Sequence, residues 1–281
     1  MNPKVVVVTD STAYLSEDEV SRHQIVVVPV SVVVDGVAFD EGIDISAIDI
    51  ADALRKRLSV TTSRPSPERF LRVYEAAADR GATHVVSAHL SADMSGTYDS
   101  AVLAARESPI PVTVLDTRSV GMAMGFAVLA GCAQVDQGAA PEVIAAAIMS
   151  RVSASSALFY VDTLEYLRRG GRIGAAQAVV GQALSVKPIL ELVDGRVVPL
   201  EKVRTSAKAL ARLTELAVAR AGGRSCDIAV QHLDAASRAQ ELAALLTAAL
   251  VDSVVTVSEV GAVVGAHVGP GMVAVGISPR T

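Results

Sequence analysis

Val5-Val6-Val7-Val8 and Ile25-Val26-Val27-Val28 are continuous apolar runs, the pattern of strands buried on both faces of a parallel sheet. Through the first half of the chain such runs alternate with stretches of helical period. The spacing predicts strands near 4–9, 25–34, 84–89, 112–116 and 156–161, and helices near 46–58, 67–80, 97–106, 121–137 and 141–151. Alternation of this kind argues for a doubly wound, mostly parallel α/β domain. In such sheets ligands sit at the carboxyl ends of the strands.

After about residue 160 the pattern changes. Asp162-Thr163-Leu164-Glu165 has the form of a capping box and Gly170-Gly171 that of a helix stop. Asp194-Gly195 between two apolar runs is a hairpin signal. A helix over 206–221, a strand at 226–231, a helix over 235–250 and strands at 253–258 and 272–277 complete the prediction. Hairpins mixed with helices indicate a second, α+β domain. The expected division is 1–160 and 161–281, with the binding cleft between the domains.

Composition narrows the function classes. The chain is 51% hydrophobic but only 3% aromatic, with no Trp, so its core is built from Val, Ala, Leu and Ile. A net charge of −5 without a basic run argues against nucleic acid as a partner. Cys132 and Cys226 lie far apart in apolar runs, as buried small hydrophobes of a reducing compartment. Met1-Asn2-Pro3-Lys4 runs straight into a strand, which predicts no signal peptide. The most apolar window, Gly121–Val135, is too short for a membrane span. A cytoplasmic protein is expected. His23, His84, His89 and His232 show no metal-ligand spacing, so no metal is expected.

The candidate chemistry lies on hydroxyl-rich segments. Thr61-Thr62-Ser63-Arg64-Pro65-Ser66-Pro67 reads as a stiff loop, with Ser66 as N-cap and Pro67 as first residue of the next helix. Ser91 to Thr97 follows a strand and opens a helix, where hydroxyls and free N–H groups favour an anion. His267 lies between glycines, on a predicted turn, where it can donate to a carboxylate. Asp10-Ser11-Thr12 ends the first strand, as a cap or as a catalytic aspartate. Each segment also has a plain structural reading as a turn or a cap. No phosphate-binding glycine loop and no nucleophile elbow occurs.

Taken in order, Thr9-Asp10-Ser11-Thr12, Thr62-Ser63-Arg64-Pro65-Ser66-Pro67, Ser95-Gly96-Thr97-Tyr98, Leu167-Arg168-Arg169-Gly170-Gly171-Arg172-Ile173, Lys187-Pro188-Ile189-Leu190 and His267-Val268-Gly269-Pro270-Gly271 resemble the DegV family of bacterial fatty-acid-binding proteins. The likeness spans essentially the whole chain. It implies a two-domain protein that buries a long-chain fatty acid, palmitate- or oleate-like, in a tunnel between the domains. Some members serve as the FakB-type subunit of fatty acid kinase, presenting the carboxylate to a separate ATP-using kinase subunit that forms an acyl phosphate. By resemblance Thr62 and Ser95 hydrogen-bond the carboxylate, with Ser63, Gly96, Thr97 and His267 nearby. Arg172 and Arg204 become contacts for the kinase or the acyl phosphate. Such a protein is a carrier, not itself an enzyme, and needs no cofactor. Arg64 departs from the family, which often has Gln there. The alternatives are a hydrolase or phosphotransferase using Asp10, Ser95 or His267, and a regulatory module that senses a small acid.

Overall fold

The computed structural model describes residues 4–179 and 187–280. Met1-Asn2-Pro3, on which the expected absence of a signal peptide rests, lie outside the described residues. Along the chain come β1 (Val5–Asp10), a 3-10 turn (Ser11–Ala13), α1 (Glu17–His23), β2 (Val26–Val28), β3 (Ser31–Val34), β4 (Val37–Asp40), α2 (Ala47–Arg55), β5 (Val60–Ser63), α3 (Pro67–Asp79), β6 (His84–His89), α4 (Thr97–Ala105), β7 (Val112–Asp116), α5 (Met122–Asp136) and α6 (Pro141–Ala154). There follow β8 (Ser156–Tyr160), α7 (Glu165–Arg169), a 3-10 turn (Gly174–Val179), β9 (Lys187–Val193), β10 (Arg196–Val203), α8 (Ser206–Ala221), β11 (Cys226–His232), α9 (Ala236–Ala249), β12 (Val254–Glu259), α10 (Ala262–Val268) and β13 (Val273–Pro279).

The chain forms two compact units. The first comprises the chain up to Ser31 together with Ser63–Ser153. Its sheet has the order β2-β1-β6-β7, and every pairing is parallel, with Val5 opposite His84 and Val8 opposite Val26. Side chains alternate across the pleat. Val5, Val7, Val86 and Ala88 pack with Met124, Val128, Ile144 and Ile148 of α5 and α6. Val8, Val28 and Val85 pack on the other face with Phe70, Tyr74, Ala101 and Ala104 of α3 and α4. Burial on both faces is why these strands read as unbroken apolar runs.

The second unit comprises Val32–Thr62 and the chain from Ala154 onward. Its main sheet has the order β10-β9-β8-β13-β11-β12. Only the β11–β12 pairing is parallel. Leu158, Ile189, Ile228, Val230, Val273 and Val275 meet Leu210, Leu213, Leu242 and Leu246 of α8 and α9 in its core. Asp194 and Gly195 join β9 to β10 with φ of 49° and 79°, the doubly left-handed turn that the Asp-Gly pair signals. A small sheet, β4-β3-β5, belongs mainly to this unit.

The units cut across the expected division at 160. Residues 32–62 pack with the C-terminal half, and β8 pairs with β9 and β13. The reasons are tertiary contacts that periodicity does not encode. Glu41 accepts a 2.7 Å hydrogen bond from Val263 N at the start of α10, Ile50 packs toward Gly265, and Arg55 pairs with Asp234.

Local geometry alters three further expectations. Thr62 and Ser63 lie on strand β5, not on a loop. Ser66 stands at the N-cap position of α3 with Pro67 behind it, but its side chain makes no cap bond. Its hydroxyl serves the Glu68 carboxyl instead, holding it below its ordinary range. The expected capping box at Asp162–Glu165 does not form. Leu164 is the N-cap of α7, Thr163 Oγ1 accepts from Glu165 N, and the Glu165 carboxylate engages Arg168 and Arg169.

Candidate functional site

In the second unit, Thr62 meets His267. The histidine lies in the last turn of α10, a helix and not the predicted turn. Thr62 Oγ1 and His267 Nε2 are 2.9 Å apart. The other ring nitrogen, Nδ1, is buried and has no hydrogen-bond partner among the described residues. It lies against Gly170, where a Cβ would stand 2.0 Å from Nδ1. The glycine pair after α7 therefore admits the imidazole as well as ending the helix.

The hydrogen-bond network assigns the tautomer. An N–H at Nδ1 would be a buried donor without an acceptor, which is costly. The proton therefore sits on Nε2 and is donated to Thr62 Oγ1. The Thr62 hydroxyl, already accepting from His267, has its own hydrogen left to give to a ligand acceptor. Burial, with a smaller contribution from the Arg172 cation, pushes the His267 pKa down to about 4. The ring is thus a neutral orienting donor at physiological pH.

In the first unit, the loop after β6 leads into α4. Gly96 is the N-cap residue. Ser95 Oγ lies 2.9 Å from Thr97 Oγ1 and accepts from Thr97 N at 3.3 Å. Thr97 is fully buried, while Ser95 stays partly accessible, so Thr97 holds the Ser95 hydroxyl at the helix start. Ser63, at the exposed end of β5, and Arg64 belong to the same unit. The Arg64 side chain lies across Gly96, where a Cβ would stand 2.3 Å from Arg64 Nη1.

Asp10 has a different task from the catalytic one considered for it. It caps the 3-10 turn through Thr12 N and Oγ1 and accepts Leu90 N at 3.0 Å. Its Oδ2 also lies 3.1 Å from His89 Nδ1, and His89 Nε2 contacts Ser87 Oγ at 2.7 Å, which in turn meets Tyr74 OH at 2.9 Å. Ser87, His89 and Asp10 have the order of a hydrolytic triad. All three are 0% exposed, so no substrate reaches them. The string ties the loops after β1 and β6 together. Sequence reading missed Ser87, His89 and Tyr74. The available signal was the i, i+2 spacing of Ser87 and His89 on one face of a strand.

Arg172 Nη1 donates to Gly170 O at 2.7 Å, on the turn that faces His267. Arg204 is exposed, one residue before Thr205, the N-cap of α8. Lys187 binds Asp162 Oδ1 at 2.8 Å, and Arg238 approaches its Oδ2. Thr62, His267, Arg172 and Arg204 thus fall in one unit, and Ser63, Arg64, Ser95, Gly96 and Thr97 in the other. Among the described residues no His, Cys, Asp and Glu cluster forms a metal site, and no helix is long and apolar enough to cross a membrane.

A family model described as "Uncharacterised protein, DegV family" matches residues 4–280. A DegV domain-containing protein of Streptomyces coelicolor is 53% identical over 283 residues, covering 100% of both chains. A solved structure described as fatty acid binding of a DegV family protein from Thermus thermophilus superposes with a TM-score of 0.92 at 35% identity, covering 99% of this chain and 100% of that one. One described as DegV, a fatty acid binding protein from Bacillus subtilis, gives 0.91 at 33% identity, with the same coverage.

Proposed function

Because the chain belongs to the DegV family, we propose that it binds a long-chain fatty acid, palmitate- or oleate-like, and presents the carboxylate to a separate ATP-using kinase subunit that forms an acyl phosphate. The observation that carries this is the Thr62–His267 pair. A neutral histidine that donates to a threonine leaves the hydroxyl hydrogen to be given to an acceptor, and a carboxylate is an acceptor only. The fatty acid binding ascribed to the Thermus thermophilus and Bacillus subtilis relatives supports the same ligand class.

In this proposal Thr62 and Ser95 hydrogen-bond the carboxylate, with Ser63, Gly96, Thr97 and His267 beside it. Arg172 and Arg204 meet the kinase or the acyl phosphate. Tail burial provides the affinity. Roughly 14 methylenes at about 0.8 kcal/mol each give on the order of 11 kcal/mol before ordering costs. The hydroxyls then select which end faces outward. A carrier that hands its ligand to an ATP-using partner works in the cytoplasm, where ATP is. Of the groups a hydrolase would use, Asp10 is sealed from any substrate. Titration with palmitate and oleate tests the proposal. Saturable stoichiometric binding supports it, and no binding of either acid rejects it.

A further inference from the structure

We infer that Arg64 determines head-group specificity, its guanidinium favouring an ionised acid over an uncharged lipid of the same chain. This inference rests on the fatty-acid reading of the site. The backbone of Arg64 is restrained toward extended geometry by Pro65. From there the side chain lies across residue 96, and a Cβ on that glycine would be 2.3 Å from Nη1 and 2.7 Å from Cδ of Arg64. The cation therefore stands at the first turn of α4, beside Ser95 and Thr97.

A positive charge at a helix N-terminus opposes the helix dipole. Several arginines elsewhere in the chain meet carboxylates, among them Arg168 with Glu165, Arg212 with Glu201, Arg220 with Glu191 and Arg280 with Asp227. Among the described residues Arg64 makes no hydrogen bond or ion pair. Asp99, although in the first turn of α4, does not pair with it. A ligand carboxylate resolves this juxtaposition: it takes the Ser95 hydroxyl, complements the helix start and neutralises Arg64. An alcohol or ester of equal length takes the hydroxyl contact but not the charge.

The test compares oleate with oleyl alcohol, each titrated into the wild-type protein, Arg64→Gln and Arg64→Lys. The wild type prefers oleate. Arg64→Gln lowers that preference about fivefold, through weaker oleate binding with alcohol binding unchanged, and Arg64→Lys restores most of it. Thermal melts check that both variants fold, as expected for an exposed side chain. An oleate-to-alcohol ratio in Arg64→Gln equal to wild type overturns the inference and leaves fatty acid binding standing. A wild-type protein that binds neither lipid overturns both.

Discussion

Thr62 Oγ1 lies 2.9 Å from His267 Nε2, across 205 positions of sequence. The contact exists because residues 32–62 join the C-terminal unit. It converts a common hydroxyl into an oriented donor. Replacing Thr62 with Val keeps the shape and removes the donor. Fatty acid affinity is expected to fall roughly tenfold, the loss of one hydrogen bond to a charged acceptor. Adding Ser95→Ala lowers it further. Melting temperatures near wild type, measured alongside the titrations, confirm that the fold survives. Normal affinity in the double variant refutes the head-group assignment.

The depressed pKa of His267 predicts a pH dependence of stability. The folded state holds the ring neutral down to about pH 4, against an ordinary value of 6.5. Between those values the unfolded chain binds more protons, so stability falls as pH drops through this window and is unaffected above it. His84 and His232, held low by burial, act with the same sign. The His267 share is therefore read as the difference between wild type and His267→Gln in denaturant titrations from pH 7 to 4.5. Identical pH profiles for the two proteins contradict the assignment of a buried neutral ring.

Gly170→Ala places a methyl group 2.0 Å from His267 Nδ1. The imidazole or the turn must move, at a cost of about 1–3 kcal/mol. Because His267 orients Thr62, fatty acid affinity is expected to fall together with stability. A stable variant with unchanged affinity shows that the ring is not an orienting group.

Arg204→Ala removes an exposed cation distant in sequence from the head-group residues. The variant is expected to retain its lipid and to lose most acyl-phosphate formation with a cognate kinase subunit. Unchanged phosphorylation contradicts the docking role proposed for Arg204.

Most of the elements were legible in the sequence because their signals are local. The valine runs mark β1 and β2, Asp194-Gly195 marks the β9–β10 turn, and Ser206–Ala221 carries helical period throughout. The hydroxyl segments and His267 were visible as candidates. What was not legible depends on long-range packing. Nothing local in residues 32–62 says that Glu41 will cap α10. The short α10 reads as a turn because its glycines outweigh its length. The buried string from Asp10 to Tyr74 joins three separate elements, and only Asp10 stood out as a residue. Arg64 departs from the family pattern, and no local signal places its side chain across Gly96.

The most direct measurement is mass spectrometry of lipid released when the protein, purified from a bacterial host, is denatured and extracted. Near-stoichiometric long-chain fatty acid from the wild type, and much less from the Thr62→Ala, Ser95→Ala variant, is the predicted result. An empty wild-type extract, together with no uptake of added palmitate or oleate, contradicts the account.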